Sequence, residues 1–247
     1  MTISPEPIHR IARPVMHMGW YDLTYVHWRY PVAEVARLLP SGLEPDVFDG
    51  TAWVGLIPFS MERIRFPGLP VLPYVSRFPE TNVRTYVRGP HGERGIWFFS
   101  LDVNRLLPAL VARSTYRLPY CWGPMRIERS GARLRYRGRR RWPRPGPSSD
   151  VEVELGEWIP RDDVDELSHW LTARWALFSR LGSRVLSAPV EHRRWPLRRA
   201  RLIGLQQDLL QAAGLAAPRG DQHTLFSPGV AVRVGPPRRV ALDESRR

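Results

Sequence analysis

The chain has 247 residues, 43% of them hydrophobic and 11% aromatic, so it carries enough apolar side chain to bury a sizeable core. Its formal net charge of +13 rests on arginine alone, because all 37 basic residues are Arg and none is Lys. Without a side-chain amine, a Schiff base on the protein, a lysine-held pyridoxal phosphate and a P-loop are all excluded.

Taken in chain order, residues 1–19 are proline-rich and predict an irregular segment. YDLTYVHWRY (21–30) has the aromatic and β-branched content of a strand. PVAEVARLLP (31–40) predicts a short helix that opens on Pro31 and stops at Pro40. After the turn residues SGLEPDVFDG, TAWVGLIPFSMERIRF (51–66) reads as a long strand, broken or bulged near Pro58. PGLPVLPYVSRFP (67–79) predicts an ordered loop packed by Leu69, Val71, Leu72 and Tyr74. TNVRTYVRG, PHGERG and IWFFSLDV form a hairpin.

NRLLPALVARST (104–115) reads as a short helix kinked at Pro108. LPYCWGPMRIER, the turn SG and ARLRYRGRRRW predict a second hairpin with a basic outer face. VEVELGE is a strand. PRDDVDELSHWLTARWALFSRLG (160–182) is the plainest helix, with acids at its start and Gly182 at its end. VLSAPVEHRRW is a strand, a late helix begins near 205, and HTLFS and VAVRVGP are two short strands. No repeat or linker divides the pattern. It predicts one α+β domain over 20–240 with a short tail, 241–247. A largely antiparallel sheet would curl into a barrel or two packed layers with a few short helices.

The chemistry is sparse. The seven histidines have no i, i+4 pair and no cysteine partners, so no metal site is expected. There is no G-x-S-x-G elbow and no G-x-G-x-x-G opening a helix, and no cofactor is expected. No stretch has the ~18 apolar residues of a membrane span. The first twenty residues lack a signal-type run, and Cys121 is single, so a cytoplasmic protein without membrane contact is expected. The basic excess leaves two readings open: solvated arginines, or a surface for an acidic partner. Residues 126–144 hold nine arginines against one acid, Glu128, with Tyr136 and Trp142 interleaved. That composition suits nucleic acid. Alternation, however, places Arg133, Arg135, Arg137 and Arg139 on one face and Leu134, Tyr136 and Gly138 on the other, as in an ordinary half-buried strand.

The hairpin 80–103 is the sharper question. Period-two alternation puts Asn82, Arg84, Tyr86 and Arg88 on one face of its first strand. On the second strand it groups Ile96, Phe98, Ser100 and Asp102. Glu80, Asn82, Arg84, Ser100 and Asp102 are thereby expected near one another at the open end. They form either a solvated polar face or, if the sheet closes, the lining of a ligand cavity.

LLPSGLEPDVFDGTAWVGLIPF, FPETNVRTYVRG, GIWFFSLDVNRL, LPYCWGPM, LTARWALFSR and FSPGVAVRV resemble the uncharacterised YqjF-like family of bacterial proteins, from about Trp20 to Val240. That family is similar in fold to acetoacetate decarboxylase. The resemblance implies a curled antiparallel β-structure around a cavity, with Glu80 where the decarboxylases keep an acidic residue. Their lysine pair falls near ARSTYRLPY, where this chain has Arg113, Ser114, Thr115, Tyr116 and Arg117 instead. The fold can carry over and the imine mechanism cannot. The expected site is therefore Glu80 as acid or base, with Asn82, Arg84, Ser100, Asp102, Tyr116 and Tyr120 around a small carbonyl or carboxylate compound. A buried Glu80–Arg84 ion pair that only fixes the sheet is the competing reading. A non-catalytic module using the arginine hairpin, or a homo-oligomer, stays open beside it.

Overall fold

The computed structural model describes residues 3–7, 10–68, 76–105 and 118–241. Runs rich in aromatic and β-branched residues draw more than half of the described residues into strands. In chain order these are β1 (Met16–Tyr30), β2 (Glu44–Pro45), β3 (Val47–Phe48), β4 (Thr51–Arg65), β5 (Arg77–Arg88), β6 (Arg94–Val103) and β7 (Tyr120–Trp122). Then follow β8 (Met125–Ser130), β9 (Arg133–Arg139), β10 (Ser148–Trp158), β11 (Ala176–Leu181), β12 (Arg184–His192), β13 (Arg198–Gln207), β14 (His223–Val234) and β15 (Arg238–Arg239). Three short helices interrupt them: α1 (Val32–Ala36), α2 (Glu166–Thr172) and α3 (Leu209–Ala212).

The pairings run β12-β11-β6-β5-β4-β1-β14, and β14 returns to β12 from Val190↔Val234 to His192↔Val232. Seven strands thus close into a ring, antiparallel except where β6 meets β11. Inside the ring an apolar cluster gathers residues from every wall, among them Tyr25, Ile57, Phe78, Leu101, Leu177 and Val230. Beyond β14 the sheet continues through β13, β10, β9 and β8. This extension packs Leu134, Tyr136, Val151 and Val153 against Val26, Val54 and Val83 on the ring's outer face. The walls between the two clusters are buried on both sides.

The expected α+β, curled and largely antiparallel domain is the one observed, and the differences are local. The first strand begins at Met16, inside the segment expected to be irregular. Pro58 does not break β4, because it stays paired with Thr81. The irregularities lie elsewhere: β4 has one extra residue near Arg63, at a φ of 53°, and β1 has one between Tyr21 and Val26, where Asp22 takes a φ of 45°. Tyr120–Trp122 pairs parallel with β6 rather than joining the β8–β9 hairpin.

The expected long helix over 160–182 is a 3-10 turn, a seven-residue helix and then a strand. Asp165 caps α2 by accepting from the Ser168 N–H at 2.8 Å. The helix stops where Arg174, buried, is held to Asp46 at 2.7 Å. Beyond it Leu177 faces the ring interior and Phe178 an outer cluster. A strand buried on both faces has the same unbroken apolar run as a buried helix. The late helix is likewise a single turn, since 198–207 is strand β13, and the two short C-terminal strands are one continuous β14. The loop residues 69–75 and the expected helix from 106 onward lie outside the described residues.

Candidate functional site

Directly opposed residues of an antiparallel pair share a face. On β5, Glu80, Asn82 and Arg84 stand opposite Phe59, Ile57 and Gly55 of β4, and opposite Val103, Leu101 and Phe98 of β6. Phe59, Ile57, Leu101 and Val103 belong to the interior cluster, so the three polar side chains point into the ring. All three are buried, at 2%, 3% and 6% exposure.

Ser100 and Asp102 do not join them. The β5–β6 register slips between Val83 and Arg84, so that Phe99 is an extra residue and Ser100 opposes Val83 while Asp102 opposes Thr81. One inserted residue reverses the phase of alternation. The two polar residues therefore face outward, where Ser100 donates to Asp102 and Arg140 clamps Asp102 with two bonds of 2.7 and 2.8 Å. Arg140, at 9% exposure, is therefore an exception to the reading of the basic excess as solvated arginines.

Glu80 and Arg84 form no ion pair. Four residues along a strand separate them by about 13 Å. The Glu80 carboxyl instead has Asn82 and Tyr120 within hydrogen-bonding reach. Burial, reinforced by the nearby Asp102 charge, pushes its pKa up to about 8 against those two hydrogen bonds. Glu80 is thus mainly a neutral acid at pH 7. Its Oε2, the Oδ1 of Asn82 and the Nε of Arg84 have no hydrogen-bond partner among the described residues. Tyr120 stands within hydrogen-bonding reach of Glu80, and burial holds its phenol well above the ordinary range. Tyr116 lies outside the described residues.

Arg84 is a buried cation with no carboxylate within ion-pair distance among the described residues. Its guanidinium lies over the rings of Tyr25 and Tyr86, at 5.4 and 5.6 Å from their centroids, and Nη2 donates to the Tyr86 hydroxyl at 3.2 Å. That hydroxyl donates to the Leu171 carbonyl at 2.9 Å. Its proton is used there, so His27 Nε2, 2.7 Å away, must be the donor in their contact. His27 is then the Nε2–H tautomer, with Nδ1 unpartnered. Burial and the Arg84 charge hold His27 well below its usual pKa, and it is neutral. Gly55 makes room for this ring, since a Cβ there would come within 2.7 Å of Nε2.

Tyr86, already placed on the face of Asn82 and Arg84, adjoins Arg84 here, and Tyr25 and His27 are neighbours that the sequence reading did not select. Their signal was available in TYVHWRY, whose period-two alternation puts Tyr25 and His27 on one face. Nothing local says that this face points inward.

The arginine hairpin is largely neutralised by its neighbours. Arg135 makes a bidentate pair with Asp150, Arg137 meets Glu128, and Arg129 meets Asp22. Leu134 and Tyr136 are buried beneath it, as the alternation predicts.

Comparison with known proteins places this geometry. The chain matches the DUF2071 family model, an uncharacterized conserved protein, over residues 17–231. It is 31% identical over 207 residues to the uncharacterized protein YqjF of Bacillus subtilis strain 168, covering 84% of this chain and 85% of that one. Among solved structures it resembles the enduracididine biosynthesis enzyme MppR, complexed with the condensation product of pyruvate and imidazole 4-carboxaldehyde. That match has 15% identity and a TM-score of 0.62 over 94% of this chain and 91% of the other. An acetoacetate decarboxylase-like enzyme from Sphingomonas wittichii RW1 matches at 14% identity and a TM-score of 0.62, over 94% and 95%. The fold is acetoacetate decarboxylase-like.

Proposed function

We propose that this chain, which belongs to the DUF2071 family of uncharacterised proteins, binds a small carbonyl compound bearing a carboxylate inside its strand ring, without a covalent bond. The observation that carries the reading is the line of Glu80, Asn82 and Arg84, each buried in the interior and each with one unpartnered polar atom. Buried polar groups are ordinarily satisfied, and a buried cation without an anion is costly. A ligand carboxylate on the Arg84 guanidinium supplies the missing charge. A carbonyl oxygen near the other end accepts from the protonated Glu80 carboxyl. Glu80 and Arg84 are about 13 Å apart at the backbone with Asn82 midway, a span that their two long inward side chains shorten toward a ligand of a few carbons. Glu80, titrating near neutrality, can also exchange a proton with the carbon beside that carbonyl. Support for this ligand class comes from the MppR neighbour, whose bound product derives from pyruvate.

The test is thermal stabilisation by pyruvate and longer 2-oxo acids. The wild type is expected to be stabilised by ~2.7 kcal/mol at a hundredfold excess over Kd. Arg84→Gln abolishes the effect, and Glu80→Gln, nearly isosteric, keeps the fold and loses most of it. A panel of oxo acids and simple carboxylates that leaves the wild type unmoved overturns the reading. Borohydride added with a 2-oxo acid is expected to leave every side chain unmodified, because no lysine is present. A stable adduct away from the N-terminal amine contradicts the non-covalent mode.

A further inference from the structure

Among the described residues, the ring wall is open along part of β6. The free edge of β6 is shared by two strands, β11 along Ile96 and Trp97 and β7 along Leu101 to Val103, both parallel to it. Between them Phe98, Phe99 and Ser100 have no strand partner on that side among the described residues. The bulge at Phe99 lies in this interval, and Trp97, Phe98 and Phe99 are half-buried while Ser100 to Val103 are buried. A groove of about 600 Å³ opens over the interval. Its walls are those three aromatics, Phe178 of β11 and Leu118 just before β7.

Two features tie the groove to the interior. Phe98 and Leu118 line it and also pack with the interior cluster, so these side chains stand between groove and ring. Phe98 is moreover the cross-strand partner of Arg84. The rim carries Arg37 and Arg180 and, among the described residues, no acidic one. Arg37 donates to the Gly214 carbonyl at 3.2 Å and has no carboxylate within ion-pair distance among the described residues, and Arg180 is exposed.

We propose that this groove is the mouth of the ring site. An anionic small molecule enters between β7 and β11, drawn by Arg37 and Arg180, and passes Phe98 to reach Arg84. The proposal rests on the reading that the interior holds a small carboxylate. It adds two kinds of specificity residue, a steering pair and a gate, neither of which touches the reacting atoms. Like-signed rims concentrate opposite charge at an opening, and the effect fades as salt shortens the Debye length.

The test does not need the natural ligand. In a Cys121→Ser background, Val103→Cys places a thiol opposite Glu80, and Leu101→Cys opposite Asn82 serves as a second reporter should the first fold poorly. The probes are sulfonatoethyl methanethiosulfonate, an anion, and its trimethylammonium analogue, a cation. The anion is expected to label faster. Arg180→Ser should slow it by up to about ten-fold at low salt and little at high salt. Phe98→Ala should accelerate both reagents. Rates indifferent to both substitutions, a preference for the cation, or no labelling even with Phe98→Ala overturn the proposal. Labelling through the groove without stabilisation by any oxo acid removes the ligand class and leaves the mouth. Stabilisation without gated labelling does the reverse.

Discussion

Glu80 keeps its proton in the folded chain up to about pH 8, whereas its ordinary value is 4.5. Between those values the folded state holds the extra proton, so its contribution to stability is complete below 4.5 and is lost as pH rises through 8. For one proton the slope is about 1.4 kcal/mol per pH unit. Burial lowers the pKa of His27, His192 and His223, that of His192 to about 4, and these groups act in the opposite sense below 6.5. The Glu80 slope is therefore isolated between pH 6.5 and 8. Urea midpoints of the wild type should fall across that interval and those of Glu80→Gln should stay level. A variant that keeps the slope assigns it to another group. Asp102 and Arg140 teach the converse lesson about reading residues. Each was visible as a polar residue in a suggestive place, yet they lie 38 positions apart and nothing local pairs them. Arg140→Ser strands a buried carboxylate and should cost roughly 3–5 kcal/mol. Arg139→Ser and Arg141→Ser, both exposed, should each stay within ~0.5 kcal/mol in the same denaturation assay.

At the scale of elements, legibility followed whether the deciding signal was local. The β5–β6 and β8–β9 hairpins were readable because their turn residues are local, with Gly92 and Gly131 both at positive φ. The phase of β6 was not, because Phe99 looks like any other member of IWFFSLDV and only its pairing shows that it is extra. The same holds for 173–181, where a run buried on both faces was read as helix. The bulge makes a definite prediction. Deleting Phe99 leaves Ser100↔Val83 and Phe98↔Arg84 as consecutive steps of a regular ladder, and every other side chain keeps its face. That variant should fold, at a cost of about 1–3 kcal/mol for a half-buried phenylalanine. Deleting Leu101 instead closes the ladder only by carrying Ser100 to the inward place opposite Asn82 and Phe99 to the outward place opposite Val83, so a buried leucine is lost to a polar group and the variant should melt well below the Phe99 deletion. Circular dichroism melts of the two variants decide it. Equal damage from both would mean that the bulge does not set the register.

For the whole molecule, the ring closure rests on the meeting of 190–192 with 232–234, and the two-sided burial of its walls rests on the outer layer. Neither contact is local, so the sequence pattern alone left a barrel and two packed layers as alternatives. The structure has elements of both, a closed ring whose sheet continues past β14 into a second layer laid on it. The outer-layer strands β8, β9, β10 and β13 hold nine of the 37 arginines, and acids on β8 and β10 answer much of that charge, as Glu128, Asp150 and Glu154 do. Its inner face is what binds it to the ring. Leu134, wholly buried, stands opposite Val153 and shares a cluster with Val54 and Val83 of the ring wall. Truncation there removes contacts between layers rather than within one, and Leu134→Ala should cost about 2–5 kcal/mol. Because Val83 neighbours Asn82 and Arg84 on β5, the wall of the candidate site shares this cluster. Loss of the contact should therefore lower one common transition, with tryptophan emission and far-ultraviolet circular dichroism moving together. An early separate melt of the β8–β10 layer, with the ring's transition unshifted, would show instead that the outer sheet is an independent unit that merely covers the ring.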